Sequence, residues 1–124
     1  SEFLFIAIRT NGTPKKNQIY INTDNDSTSG YQSSRWKKSG IDDLIENGAV
    51  YRYQGDKKSW DFRKRSSLDN ASYANSPGFI EMRVRLEELG IGPGSTVAIG
   101  VMLDDQKTLK LPEGEALAEY KITK

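Results

Sequence analysis

Asp24, Asp26, Thr28 and Gly30 stand at alternate positions in the stretch Ile19-Tyr-Ile-Asn-Thr-Asp-Asn-Asp-Ser-Thr-Ser-Gly-Tyr31. Oxygen donors at every second residue, closed by a glycine, can wrap the backbone around a hard cation such as Ca2+. Such an ion takes about six to eight oxygens, so one loop is insufficient and a remote carboxylate is required. Asp42, from the segment Gly40-Ile-Asp-Asp-Leu-Ile-Glu-Asn-Gly48, is the candidate. The expected metal ligands are therefore Asp24, Asp26, Asp42 and the Thr28 hydroxyl or a nearby backbone carbonyl, in a site that braces the loop. The spacing departs from an EF-hand, since Gly30 comes one residue late and no Glu stands at the twelfth position. Without an ion, the same Asp, Asn, Ser and Gly residues would satisfy the turn's backbone through their side chains.

A second group of residues is aromatic and basic. Sugar rings stack their apolar faces on flat side chains, and their hydroxyls need polar groups around the rim. Trp36 lies in Ser-Ser-Arg-Trp-Lys-Lys-Ser, a setting in which burial is hard to arrange. Trp60 is flanked by Lys57, Lys58, Asp61 and Arg63. The expected ligand-facing set is Tyr31, Arg35, Trp36, Lys37, Lys38, Tyr53, Trp60 and Arg63, with Tyr51 and Tyr73 as possible additions. The competing structural reading makes Trp60 and Phe62 sandwich core and Trp36 a lid over the core's edge.

Residues 35–65 hold Arg35, Lys37, Lys38, Arg52, Lys57, Lys58, Arg63, Lys64 and Arg65, half of the chain's 18 basic side chains. An anionic polysaccharide would suit them, because Arg pairs bidentately with carboxylates while its stem packs on a ring. A solvated surface balanced by acids elsewhere is the plainer alternative. Interleaved bases and aromatics also suit single-stranded nucleic acid, but the net charge of +1 and the lack of a known motif argue against that partner.

The chain has no histidine, which excludes Ser-His-Asp, Cys-His and His-ligated zinc chemistry. Two carboxylates suffice for a glycosidase. Pairs such as Asp42 with Glu46 or Asp104 with Asp105 are too common in turns to indicate one, so binding is expected rather than catalysis. Cysteine is also absent, which decides nothing about compartment, and no apolar run approaches the ~20 residues of a membrane helix.

These residues must be positioned by strands. At 124 residues the chain is expected to be one domain, 1–124, excised from a larger protein, with Ser1-Glu2-Phe3 either a cloning remnant or the first strand's own start. Phe3 to Arg9 is nearly continuously apolar and reads as a strand buried on both faces or in mid-sandwich. Further strands are expected at Gln18 to Asn22, Asp43 to Glu46, Ala49 to Gln54, Ser59 to Arg63, Ser72 to Ala74, Phe79 to Leu86, Thr96 to Leu103 and Leu117 to Ile122. Asn47-Gly48 reads as a hairpin turn, and turns also fall at Asn11 to Pro14, Gly55 to Lys58 and Asp104 to Lys107. Leu86 to Leu89 can form one helical turn, stopped by Gly90. Short strands, regular turns and almost no helix predict an all-β antiparallel β-sandwich of jelly-roll type.

Phe3-Leu-Phe-Ile-Ala-Ile, Ile19 to Tyr31, Gly40-Ile-Asp-Asp-Leu-Ile-Glu46, Val50-Tyr-Arg-Tyr53 and Ile80-Glu-Met-Arg-Val together resemble the β-sandwich domains of family-9 carbohydrate-binding modules and the wider DOMON-like set. The resemblance runs from residue 3 to about 104. It implies a non-catalytic module appended to a secreted polysaccharide-degrading enzyme, binding a polysaccharide and braced by a structural calcium. Its partners would be the glycan and a catalytic domain in the same parent chain, at a bacterial cell surface or outside the cell. Two departures stand out: members usually carry one or two strands ahead of Phe3, and at Asp43 they more often have an aromatic. The alternative expectation is a structural, protein-contacting domain of a cell-surface protein, with both tryptophans turned inward.

Overall fold

The computed structural model describes residues 2–105 and 109–123. Among the described residues ten strands run in chain order: β1 (Phe3–Arg9), β2 (Asn17–Asn22), β3 (Asp43–Glu46), β4 (Ala49–Tyr53), β5 (Phe62–Ser67), β6 (Tyr73–Ser76), β7 (Phe79–Arg85), β8 (Thr96–Leu103), β9 (Leu109–Leu111) and β10 (Ala118–Lys121). A 3-10 turn at Leu86–Leu89 follows β7 and ends at Gly90, whose φ of 70° is left-handed. The protein is the expected all-β antiparallel sandwich, with its strands divided unevenly. One sheet has three strands in the order β1-β7-β6, and the other has seven, β10-β8-β2-β3-β4-β5 with β9 also on β8.

Local chemistry accounts for most of these elements. The β3–β4 hairpin turns at Asn47 and Gly48, whose φ values of 48° and 83° are those that Asn-Gly supplies at low steric cost. Strand β7 alternates as its sequence requires, with Ile80, Met82 and Val84 buried and Glu81 and Arg85 exposed. Strand β8 is apolar throughout because it lies between β2 and the β9–β10 edge, covered on both faces. Of the turn expected at 104–107, Asp104 and Asp105 are seen in left-handed conformation, while residues 106 and 107 lie outside the described residues, as does Ser1.

Strand β1 departs from expectation. Its seven residues alternate between buried and open, and it forms an edge of the small sheet. Leu4 and Ile8 enter the core, whereas Phe5 is 72% exposed. The continuous apolar run predicts burial on both faces or a mid-sandwich place, but the strand is an edge and only one of its faces has a sheet against it.

The central strands β2, β3 and β8 of the large sheet are buried on both faces. Ile19, Ile21, Ile45, Val97 and Val101 pack against Leu4, Ile8, Ile80, Met82 and Val84 of the small sheet. On the opposite face Tyr20, Leu44, Ala98 and Met102 make a second cluster with Trp36, Ile41 and Leu117. This cluster is roofed by loops, principally the excursion from Thr23 to Asp42. Tyr31 and Ile41 pinch that excursion shut with paired backbone bonds of 2.8 and 2.9 Å. Gly30 and Gly40 make the pinch feasible. A Cβ at Gly30 would fall 2.5 Å from the Ile41 carbonyl oxygen, and one at Gly40 only 2.3 Å from that of Asp26.

Trp36 anchors the roof and is fully buried, which overturns its expected exposure. Its indole Nε1 donates to the Pro112 carbonyl at 2.9 Å, and its ring meets Tyr20 edge-on at 5.4 Å. The hydrophilic neighbours that suggested exposure do other work. Ser39 Oγ accepts from the Ser33 amide at 2.9 Å and Ser33 Oγ from the Arg35 amide at 3.1 Å, so the loop satisfies its own backbone while the indole turns inward. Gly100 on β8 leaves the floor open for it, since a Cβ there would lie 2.8 Å from the ring. In urea unfolding, Trp36→Ala is expected to cost about 3–5 kcal/mol and Gly100→Ala about 1–3 kcal/mol through overpacking; values near zero for both would refute this anchoring role.

Candidate functional site

Trp60 lies in the Gly55-to-Asp61 loop before β5 and is 53% exposed, so it is surface rather than core. The loop is firmly built. Asp56 Oδ1 accepts from the Lys58 and Ser59 amides and the Ser59 hydroxyl at 3.2, 3.1 and 3.0 Å. Tyr53 donates its hydroxyl to the Ser59 carbonyl at 2.7 Å, and the Gln32 amide donates to the Lys57 carbonyl at 2.8 Å. The indole is braced by Phe62 at 4.8 Å and stands edge-on to Tyr31 at 5.3 Å, with Tyr20 behind at 6.4 Å. Tyr31, Tyr53 and Phe62 complete an aromatic patch with centroids 5.0–5.6 Å apart.

Trp60 and Tyr31 of this patch wall a cleft of about 400 Å3 on the loop-roofed face of the large sheet, lined also by Arg35, Ser34, Gln18, Glu46, Lys16 and Asp105. Its floor is a chain of polar contacts. The Tyr20 hydroxyl donates to Gln18 Oε1 at 2.8 Å, Gln18 Nε2 donates to Glu46 Oε1 at 2.7 Å, and Lys16 Nζ reaches Asp105 at 2.9 Å and Glu46 at 3.9 Å. The Asp105 bond raises the Lys16 pKa, and burial with the Glu46 charge raises that of Tyr20 well above its ordinary value. Both groups keep their protons, so the floor presents fixed donors and acceptors beside an open aromatic wall.

The expected ligand-facing residues do not all converge. Tyr31, Arg35 and Trp60 line this cleft. Trp36 lies beneath the roof and meets no solvent. Lys37 pairs with Glu115 at 3.1 Å, and Lys38 joins Ala116 in a short bridge, so both serve the roof's outer surface. Arg63 pairs with its neighbour Asp61 at 3.4 Å. Tyr53 turns its hydroxyl into the Trp60 loop and also lines a different cleft. Gln18, Glu46 and Lys16 were not anticipated as site residues. The only sequence signal for them was Gln18 sharing a strand face with Tyr20.

That second cleft, about 600 Å3, lies at the sandwich end between the acidic loop, the Gly55 turn and Gly90, with Asp24, Asp42, Arg52, Asp56 and Lys57 around it. The expected metal ligands divide here. Asp24 and Asp42 line the cleft. Asp26 and Thr28 do not; they close a turn on each other, Asp26 Oδ1 accepting from the Thr28 amide at 2.9 Å and from its hydroxyl at 2.6 Å. Those two bonds hold the Asp26 carboxyl below its ordinary pKa. Asp24 accepts from the Asp26 amide and the Ser29 hydroxyl at 2.9 and 2.8 Å. Among the described residues no group of three or more His, Cys, Asp or Glu is placed to hold a metal. Asp43, where the resembling domains favour an aromatic, is fully buried and pairs with Arg52 across the hairpin at 3.1 Å. Burial pushes the Asp43 carboxyl up against the opposing pull of Arg52.

Comparison with models of known families, with curated proteins and with solved structures finds no match to the chain.

The Asp42 carboxyl is strongly perturbed. Burial, reinforced by the charge of Asp24, pushes it up to about 6 despite the 2.9 and 3.1 Å bonds from the Thr23 amide and hydroxyl. Its folded-state pKa exceeds the unfolded value, so its protonated form favours folding. That contribution is complete below about pH 4 and is lost as pH rises through about 6. Asp42→Asn keeps an oxygen for Thr23 and cannot ionise. The melting temperature of this variant minus that of the parent is expected to become more positive between pH 4 and 7; a constant difference would refute the assignment.

Proposed function

We propose that this domain is a non-catalytic carbohydrate-binding module whose site is the cleft between Trp60 and Gln18–Glu46. A half-exposed indole, held rigid by Phe62 and Tyr31 beside a polar floor, carries the reading. The aromatic face offers a sugar ring an apolar platform that loses little side-chain freedom on binding. Gln18, Glu46, Ser34 and Lys16 supply hydroxyl partners on the other wall. Arg35 has no carboxylate within ion-pair distance among the described residues, which favours a glycan carrying acidic groups. Of the remaining basic residues several are paired elsewhere, so the preference rests on Arg35. In this reading the module keeps a catalytic domain of the same parent chain on its polysaccharide, outside the cell or at its surface. The resemblance of the Ile19 to Glu46 segment to family-9 carbohydrate-binding modules agrees with it.

Affinity electrophoresis against neutral and acidic polysaccharides tests the proposal. Retardation is expected with at least one glycan, weakened about tenfold or more by Trp60→Ala. The same change should alter stability by only about 1 kcal/mol or less. Arg35→Ala should act selectively on acidic glycans, and salt should weaken their binding. No retardation across a broad panel would overturn the reading and leave a structural, protein-contacting role.

The same reading places Ca2+ between Asp24 and Asp42 in the second cleft. Support comes from the mutual repulsion of these two carboxylates, which a divalent cation would relieve. Asp26 and Thr28 then shape the loop without reaching the ion. Calcium is expected to raise the melting temperature in proportion to the logarithm of its concentration, and Asp42→Asn to abolish the rise. A melting temperature indifferent to both calcium and EDTA removes the ion from the proposal.

A further inference from the structure

The four sheet edges are treated differently. Strand β5 carries Arg63, Lys64 and Arg65 in succession, and its pairing with β4 shifts register between Val50 and Tyr51. Strand β6 has four residues, and the β9–β10 edge is broken into pieces of three and four. Charges, bulges and shortness are the usual protections against edge-to-edge pairing. Strand β1 has neither shortness nor a bulge, and its one charge, Arg9, stands at its last residue. It runs seven residues in unbroken register from Phe3↔Arg85 to Arg9↔Phe79, without Pro or Lys.

The backbone bonds show which groups of β1 are open. The Leu86 amide donates to the Glu2 carbonyl at 3.0 Å and the Thr10 amide to the Gly78 carbonyl at 3.0 Å. In this antiparallel register the even-numbered residues therefore bond to β7. The amides and carbonyls of Phe3, Phe5, Ala7 and Arg9 point to the free edge. Their side chains lie on the sheet's outer face, where Arg83 and Arg85 rest on the Phe3 ring at 4.7 and 5.1 Å. Phe5 is 72% and Phe79 37% exposed on the same face.

We propose that β1 pairs antiparallel with β1 of a second copy of this chain, joining two three-stranded sheets into one of six. One register uses every open group: Phe3 opposite Arg9 of the second copy, and Phe5 opposite its Ala7. The two-fold axis then passes between the two Ile6 residues, as an isologous contact requires. This register also matches side chains. Across the joined sheet one row reads Phe79, Arg9, then Phe3 and Arg85 of the second copy, alternating aromatic and cation. The next row reads Glu81, Ala7, then Phe5 and Arg83 of the second copy, setting the large ring beside the small residue and opposite charges at the ends. A shift by two residues toward Phe3 would stack Phe5 on Phe5 and leave Arg9 unpaired. The interface lies on the small sheet, away from the proposed glycan cleft, so one assembly would carry two such clefts.

Sedimentation velocity of the full chain between about 10 µM and 1 mM, the range in which a small edge-to-edge contact is populated, should show reversible dimers. Ala7→Pro removes an edge amide that β7 does not use, and Phe5→Lys places a charge on an exposed position. Each should weaken dimerisation about tenfold or more, with far-UV circular dichroism unchanged. The register has its own test, because the chain contains no cysteine. The two Ile6 residues form a non-hydrogen-bonded pair with Cα atoms about 4.5 Å apart, within disulfide reach. Ile6→Cys should therefore cross-link rapidly on mild oxidation, while Ala7→Cys, which faces Phe5, should not. A monomer throughout this range, a dimer indifferent to Ala7→Pro and Phe5→Lys, or equal cross-linking at positions 6 and 7 would each overturn the proposal.

Discussion

The burial of Trp36 is the constraint on which the rest of the molecule depends. A seven-stranded sheet with only three strands opposite one face must cover the other face by different means. Here loops do so, and loops carry backbone polar groups that are costly to bury. Trp36 meets both demands: its ring supplies the apolar cover over Tyr20 and Gly100, and its Nε1 ties the 31–41 excursion to Pro112. Ser33 and Ser39 then absorb the amides that the inward turn would otherwise strand.

Once that roof is in place, the position of Trp60 follows. Space over Tyr20 is taken by Trp36, so the second indole packs against Tyr31 and Phe62 at the roof's margin with one face open. The cleft beside it is a consequence of covering a sheet face incompletely with loops. Its polar floor comes from β2, where Gln18 and Tyr20 project on the loop-roofed side while Ile19 and Ile21 serve the sandwich core. One strand thus supplies core on one face and site on the other, through the two-residue period of side-chain direction.

The acidic loop shows how far the same residue types can serve either of two purposes. Asp26 and Thr28 spend their hydrogen-bonding capacity on each other, and Asp24 is half committed to Ser29 and the Asp26 amide. Asp42, arriving from the far end of the excursion, sets a second carboxylate near Asp24 in the cleft. Alternation along the loop therefore builds the turn, and convergence across the excursion builds the electrostatic tension at Asp42.

Fold class, the Asn47-Gly48 hairpin, the alternation of β7 and the span of β8 were all legible in the sequence, because each is written in contiguous residues with a fixed period or turn chemistry. Tyr31, Arg35 and Trp60, which line the first cleft, were also nameable as candidates from their types and neighbours. The sequence could not say which tryptophan is covered. Trp36 has polar neighbours and is buried, while Trp60 has a strand-like pattern and is exposed. Burial depends on what lies across the sheet, and Gly100, Pro112 and Leu117 are remote in the chain from Trp36. For the same reason a continuous apolar run at β1 could not reveal that it lacks a strand on one side, nor that Lys16, Gln18 and Glu46 meet at one floor. Local pattern determined the elements; only the packing of distant segments decided which of their faces meet water.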